Sequence, residues 1–144
     1  AKFSKILVGV DISEKMLQKA KEKNFYSYLV CSEISKYLAK TDLKFDLFVA
    51  GDVLIYIGDL SNIFKKLEQK STENSHFVFS VETLKFGSYQ LNENGRFSHS
   101  QNYILRIAEE FGWHKINVIS TKLRLEGNGW VYGSIYTLSR RQNF

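Results

Sequence analysis

The run Ile6-Leu7-Val8-Gly9-Val10 is apolar at every position and stops at an acid, Asp11. A strand with one wet face alternates apolar and polar residues. A strand covered on both faces need not, so an unbroken run predicts a buried strand of a parallel sheet. A helix start follows at once. Ser13 is placed to cap it and Glu14 lies in its first turn, where the helix dipole favours an acid. Met16, Leu17 and Ala20 then share one face of a helix to about Lys23.

The same strand-then-helix unit recurs. Phe25 to Val30 reads as a second strand and Ile34 to Ala39 as a short helix or turn. Phe45 to Ala50 is the strongest strand and ends in Gly51-Asp52. Asp59 to Gln69 places Leu60, Ile63, Phe64 and Leu67 at helical spacing; Ser71 to Ser75 reads as a polar turn, and His76 to Leu84 as a fourth strand. Phe86 to Phe97 is polar, contains Gly87 and Asn94-Gly95, and reads as a long loop. Ser98, with Gln101 three residues on, has the spacing of a capping box. Tyr103, Ile104, Ile107, Ala108 and Phe111 form the apolar face of the helix that follows, which Gly112 ends. Trp113 to Leu125 and Trp130 to Ser139 flank Glu126-Gly127-Asn128-Gly129, the pattern of an antiparallel hairpin. Alternating elements predict an α/β fold with a mostly parallel sheet, and residues 1–144, with neither repeat nor linker, read as one domain.

Composition narrows the classes. The apolar share is 44% and the aromatic share 15%, enough for a packed core. No apolar stretch approaches the roughly 18 residues of a membrane span, and Ala1 to Lys5 leads straight into a strand, so no signal peptide is expected. The lone cysteine, Cys31, cannot close an internal disulfide and fits a reducing cytoplasm. The net charge is +5, but lysines alternate with acids, as in Glu14, Lys15, Lys19, Lys21 and Glu22, the pattern of a solvated helix face and an argument against nucleic acid as a partner. Three scattered histidines and one cysteine have no metal-ligand spacing, so no metal is expected. His76 and His114 open strands and are expected in structural or exposed roles.

Parallel α/β sheets bind ligands at the carboxyl ends of their strands. Asp11 there could accept hydrogen bonds from two ribose hydroxyls, or could cap its own turn. Glu33, in Cys31-Ser32-Glu33, could accept from an exocyclic amine, or lie in an exposed polar turn. Gly51 could let a ligand approach the backbone, or permit a sharp turn.

These segments resemble a known family. Gly9 to Leu17, Phe45 to Ile57 and Phe77 to Glu82 are similar to class I S-adenosylmethionine-dependent methyltransferases, across nearly the whole chain. The stretch Gly95-Arg96-Phe97-Ser98-His99-Ser100-Gln101-Asn102-Tyr103-Ile104, with Leu123-Arg124-Leu125-Glu126-Gly127 and Val131-Tyr132-Gly133, resembles the bacterial tetratricopeptide-repeat-associated group. The resemblance implies a Rossmann-like three-layer sandwich with S-adenosylmethionine as cofactor. It implies that Asp11 binds the ribose, that Ile12 and Met16 lie against the adenine, that Glu33 and the backbone of Ile34 sit at the adenine edge, and that Gly51, Asp52 and Val53 line the methionine side. Tyr56, Arg96, His99 and Tyr103 would face an acceptor, a small molecule or a protein. His99, read in the first turn of the helix, could equally be a solvated polar residue, and Arg96 could hold an acidic acceptor or pair with Glu93.

The family pattern has a strand and a Gly-x-Gly loop before the strand that ends in the acid, and these are absent ahead of Asp11. Ala1-Lys2-Phe3 reads as the tail of the helix following that loop. The expectation is a methyltransferase domain shortened at its N-terminus, with the missing strand belonging between the Ile6 and Phe45 strands, and its edges covered by gap closure or by a second copy in a homodimer. Two further readings stand beside it: a folded remnant that binds no cofactor, and a nicotinamide-dependent oxidoreductase, against which the terminal hairpin argues.

Overall fold

A computed structural model describes residues 5–141 of the chain. It divides into two compact units, one reaching to Asp42 and one beginning at Leu43. The segment Ala1-Lys2-Phe3, read above as the end of a helix, lies outside the described residues.

In the first unit, β1 (Val8–Asp11) and β2 (Tyr28–Cys31) form a parallel pair in register from Val8 opposite Tyr28 to Asp11 opposite Cys31. Between them runs α1 (Glu14–Glu22), capped by the Ser13 hydroxyl, which accepts from the Met16 N–H at 3.2 Å. Helix α2 (Ile34–Lys40) follows β2 and buries Leu38.

The second unit is built on β4 (Ser71–Thr83). On one side β4 pairs in parallel with β3 (Phe45–Ala50) as far as Phe79; at Glu82 and Thr83 the short β6 (Phe97–His99) pairs with it, also in parallel. Along His76 to Glu82 it pairs antiparallel with β8 (Gly129–Ser139), which in turn pairs with β7 (His114–Glu126). The hairpin turn at Gly127-Asn128 is where the sequence predicted it, with Gly127 at φ +56°. A 3-10 turn (Leu54–Tyr56) and α3 (Ser61–Gln69) connect β3 to β4, and α4 (Gln101–Glu110) precedes β7. Alternate residues of β4 face one way, so Phe77, Phe79 and Val81 enter the core together. Phe64 of α3 meets Phe77 and Phe79 edge-on at 5.7 and 6.0 Å, and Tyr136 stacks on Phe79 at 5.0 Å.

The structure corrects three expectations. Ser71 to Ser75 is the irregular start of β4, not a turn. The register jumps from Phe45 opposite Ser71 to Leu47 opposite His76, and side chains satisfy the freed backbone: the Ser75 hydroxyl donates to the Phe45 carbonyl at 2.6 Å and accepts from the Thr72 N–H at 2.7 Å. Phe86 to Phe97 is not one loop, because β5 (Tyr89–Leu91) pairs antiparallel with β6 across a turn in which Gly95 adopts φ +81°. Ser98 caps nothing. It is buried in β6, and Ser100 caps α4, its hydroxyl accepting from the Tyr103 N–H at 3.2 Å. His99 is therefore the last residue of a strand, not part of a helical turn. Local spacing could not choose between two serines two residues apart; pairing with Glu82 and Thr83 of β4 claims Ser98 and His99 for the sheet.

Candidate functional site

In the first unit the carboxyl ends of β1 and β2 carry five of the predicted residues. Asp11, half-buried, ends β1, and its Oδ1 accepts from the Ser13 N–H at 2.8 Å. The carboxylate thus does cap its turn, but with one oxygen, and Oδ2 has no protein partner among the described residues. Beside it Ile12 is 74% exposed and Met16, on α1, is 52% exposed, so both present apolar surface to solvent. Glu33 is the N-cap of α2. Its Oε1 accepts from the Ser35 N–H at 3.0 Å and its Oε2 from the Lys36 N–H at 3.2 Å, with Ile34 as the first helical residue. The backbone bond from Ser35 is the main reason that the Glu33 carboxyl is held below its ordinary range. Each oxygen has a second lone pair, so the cap leaves room for one further donor.

In the second unit Gly51, Asp52 and Val53 follow β3. Nothing lies within 4 Å of where a Gly51 side chain would start, so neither packing nor a positive φ demands glycine there and the backbone face is open. Asp52 adopts φ +54°, the left-handed region that side chains disfavour. Its N–H donates to the Ser80 hydroxyl at 3.3 Å, and its Oδ1 accepts from Arg124 Nη1 at 2.8 Å. Arg124 Nη2 also donates to Oε1 of Glu82, a buried acid at the end of the part of β4 that pairs with β8.

The four residues expected at an acceptor are differently disposed. Tyr56, in the 3-10 turn, is 65% exposed. Arg96 pairs with Glu126 at the end of β7 instead of with Glu93. His99 is 1% exposed, and its Nε2 lies 2.8 and 3.1 Å from the carbonyl oxygens of Ile57 and Gly58. Carbonyls only accept, so Nε2 carries the proton and Nδ1 is a buried lone pair with no partner among the described residues. Burial pulls the His99 pKa below its ordinary value, the two carbonyls acting the other way. Tyr103 is buried too: its hydroxyl accepts from the Leu60 N–H at 2.9 Å and donates to Asp59 Oδ1 at 3.4 Å, and burial pushes its pKa up. Asp59 is held below its ordinary range, first by the Ser61 hydroxyl. His99 and Tyr103 thus fasten the segment from Ile57 to Leu60, and Tyr56, next to it, is left to face solvent.

Glu82 and Arg124 received no role from the sequence. Glu82 had a signal, an acid closing an apolar strand as Asp11 does. Arg124 had none, because only pairing within the hairpin decides where it points. Among the described residues no group of three or more His, Cys, Asp or Glu side chains is placed to hold a metal ion, and no helix is long and apolar enough to cross a membrane.

Residues 2–117 match the family described as a methyltransferase domain. No curated protein matches the sequence. Among solved structures the chain is similar to magnesium protoporphyrin IX methyltransferase from Synechocystis with bound S-adenosylmethionine (TM-score 0.69, 21% identity, 98% of this chain and 62% of that one). It is also similar to the N-methyltransferase NodS from Bradyrhizobium japonicum in complex with S-adenosylhomocysteine (0.71, 16%, 96% and 68%) and to an S-adenosylmethionine-dependent methyltransferase from Clostridium acetobutylicum (0.68, 15%, 94% and 75%). The chain therefore spans less than two thirds of the length of the first of these.

Proposed function

This chain belongs to the methyltransferase-domain family and has its Rossmann-like fold, and on that premise we propose that it serves S-adenosylmethionine-dependent methyl transfer to an acceptor that is a small molecule or a protein. The observation that carries the cofactor reading is Asp11: a strand-ending acid with one carboxylate oxygen satisfied by its own turn and the other free, next to the uncovered Ile12 and Met16. An acceptor beside apolar surface suits a ribose and an adenine. The free Oδ2 of Asp11 accepts from a ribose hydroxyl, Ile12 and Met16 supply apolar surface for the ring, and the remaining lone pairs of Glu33, with the Ile34 backbone, serve its edge. In the second unit, taken by itself, the open backbone of Gly51, with Asp52 and Val53, is the surface that the family resemblance assigns to the methionyl part. When bound, the cofactor supplies a methyl group on a sulfonium sulfur. The protein's part is orientation, which contributes most when the acceptor is held in line.

Tyr56 is the acceptor-facing candidate that this arrangement supports best, because it alone of the four presents its ring to solvent. His99 and Tyr103 position the turn beside it instead of meeting the acceptor, and Arg96 is engaged by Glu126. The family match runs across the boundary between the two units, which supports reading both as parts of one domain. We also propose that a second copy can cover strand edges in a homodimer, supported by the exposed Leu47 and Val49 of β3. The free, exposed Cys31 fits a reducing cytoplasm.

Calorimetric titration of the chain with S-adenosylhomocysteine tests the cofactor reading. Binding at about tens of micromolar, lost in Asp11→Ala and not reproduced with NAD, is the expected outcome. No heat at millimolar ligand, or equal heat with NAD, would sink it.

A further inference from the structure

We propose that Arg124, far along the chain in the C-terminal hairpin, is a positioning residue of the methyl-transfer site: by bridging Asp52 and Glu82 it sets the backbone turn after β3. This rests on the cofactor reading above, in which the Gly51–Val53 turn lines the methionyl part of the ligand.

Three features of the second unit converge on it. The first is strain. Asp52 holds φ +54°, and such outliers persist only where the surroundings impose them. What imposes this one is a pair of tethers, the Ser80 hydroxyl on its N–H and the Arg124 guanidinium on its carboxylate at 2.8 Å. The second is the buried anchor. Glu82 is 6% exposed, and a carboxylate so placed needs a cation; Arg124 Nη2 supplies it. A guanidinium is planar with diverging N–H groups, so one arginine binds both acids at once, which a lysine ammonium on its flexible stem does less well.

The third feature is how Arg124 comes to face them. In a regular ladder the partner of Tyr132 being Lys122 would put Leu123 opposite Val131. The register shift between Lys122 and Arg124 instead sets Arg124 opposite Val131, turning it to the opposite face. The displaced Leu123 takes the space beside Gly133, where a side-chain carbon would meet Leu123 and the Val81 carbonyl. The bulge and the glycine together build the place from which Arg124 reaches Asp52 and Glu82. The same face carries Glu126, which holds Arg96.

The test is paired calorimetric titration of the full chain with S-adenosylhomocysteine and with 5′-methylthioadenosine, which lacks the amino-acid end. In Arg124→Gln, affinity for the first is expected to fall about tenfold or more, as misplacement of a binding surface does, with Arg124→Lys restoring it only in part. Affinity for the second stays within about twofold of the unaltered chain. Because Arg124→Gln strands a buried charge, the double variant Arg124→Gln with Glu82→Gln is titrated beside it and is expected to show the same split. Equal losses for both ligands in the double variant would reduce Arg124 to a purely structural role, and no loss for either would remove it from the site; both overturn the proposal while leaving the cofactor reading intact. An unaltered chain that binds neither ligand overturns the cofactor reading itself and this proposal with it.

Discussion

In the unit that begins at Leu43, aromatic side chains from four elements and one connecting segment close on one another: Phe64 from α3, Phe77 and Phe79 from β4, Phe48 from β3, Tyr136 from β8, and Trp113 just before β7. In the unit that ends at Asp42, α1 buries nothing and Leu38 is the one buried side chain among the described residues. Yet Ile6, Ile12, Met16, Phe25 and Tyr28 stand exposed there. Both units follow the same apolar pattern in sequence. Pattern says which face of an element avoids water and is silent on what covers it. The second unit closes an aromatic core and still exposes residues such as Leu47 and Val49 on its surface, whereas the first lacks such a core and keeps Ile12 and Met16 uncovered beside a half-satisfied carboxylate, which is why a ligand reading attaches to them.

The strongest way to break this comparison is to truncate both sides. Phe64→Ala, in the core, is expected to cost about 3–5 kcal/mol, read as a fall in the urea midpoint; a loss under about 1 kcal/mol would show that the second unit is not the packed one. Gly58→Ala comes next. A side-chain carbon at Gly58 would lie 2.8 Å from the Phe97 ring and 2.9 Å from that of Tyr89. Overpacking of this kind costs about 1–3 kcal/mol, and thermal melting should reveal it; an unchanged Tm would mean that the β5–β6 hairpin does not clamp this segment.

A smaller effect concerns pH. His99 binds its proton less readily folded than unfolded, since burial lowers its pKa from the ordinary 6.5. The unfolded chain then holds more protons at this position between the folded value and 6.5. The His99 contribution to stability is whole above that window, declines as pH falls through it, and is level below it. His99→Gln should flatten that decline in Tm against pH, and an identical slope in the variant would contradict the neutral, Nε2-protonated ring. The smallest stability change is expected on the open side: Met16→Ala should cost no more than about 0.5 kcal/mol, read from the urea midpoint, while weakening S-adenosylhomocysteine binding. A core-sized loss would place Met16 in packing and remove the contrast.

Much of the architecture was legible beforehand because it rests on local chemistry. Phe45 to Ala50 is a strand because six residues of that composition between polar breaks do little else, and Ser13 caps α1 because its hydroxyl reaches Met16 without help from elsewhere. The hairpin turn was legible from Gly127 for the same reason. Misreadings clustered where two local solutions compete and a distant partner decides. Ser98 and Ser100 could each cap a helix, and β4 resolved the choice. Of the candidate site, Asp11, Glu33 and Gly51 could be picked out because each lies at or just after the end of a strand, whereas the acceptor-facing roles given to His99 and Tyr103 could not anticipate that a turn forty residues earlier would occupy their polar atoms.

Sequence alone therefore determined the alternating α/β elements, the acid that closes β1 and the kinship with methyltransferase domains, since each depends on residues adjacent in the chain. Only the tertiary structure decided that His99 is a buried fastener, that Asp52 is held in a left-handed conformation, and that Arg124 does the holding. Those outcomes hang on pairings across 42 and 72 residues and on one extra residue in a hairpin, and a shift of a single position in such a ladder sends a side chain to the opposite face.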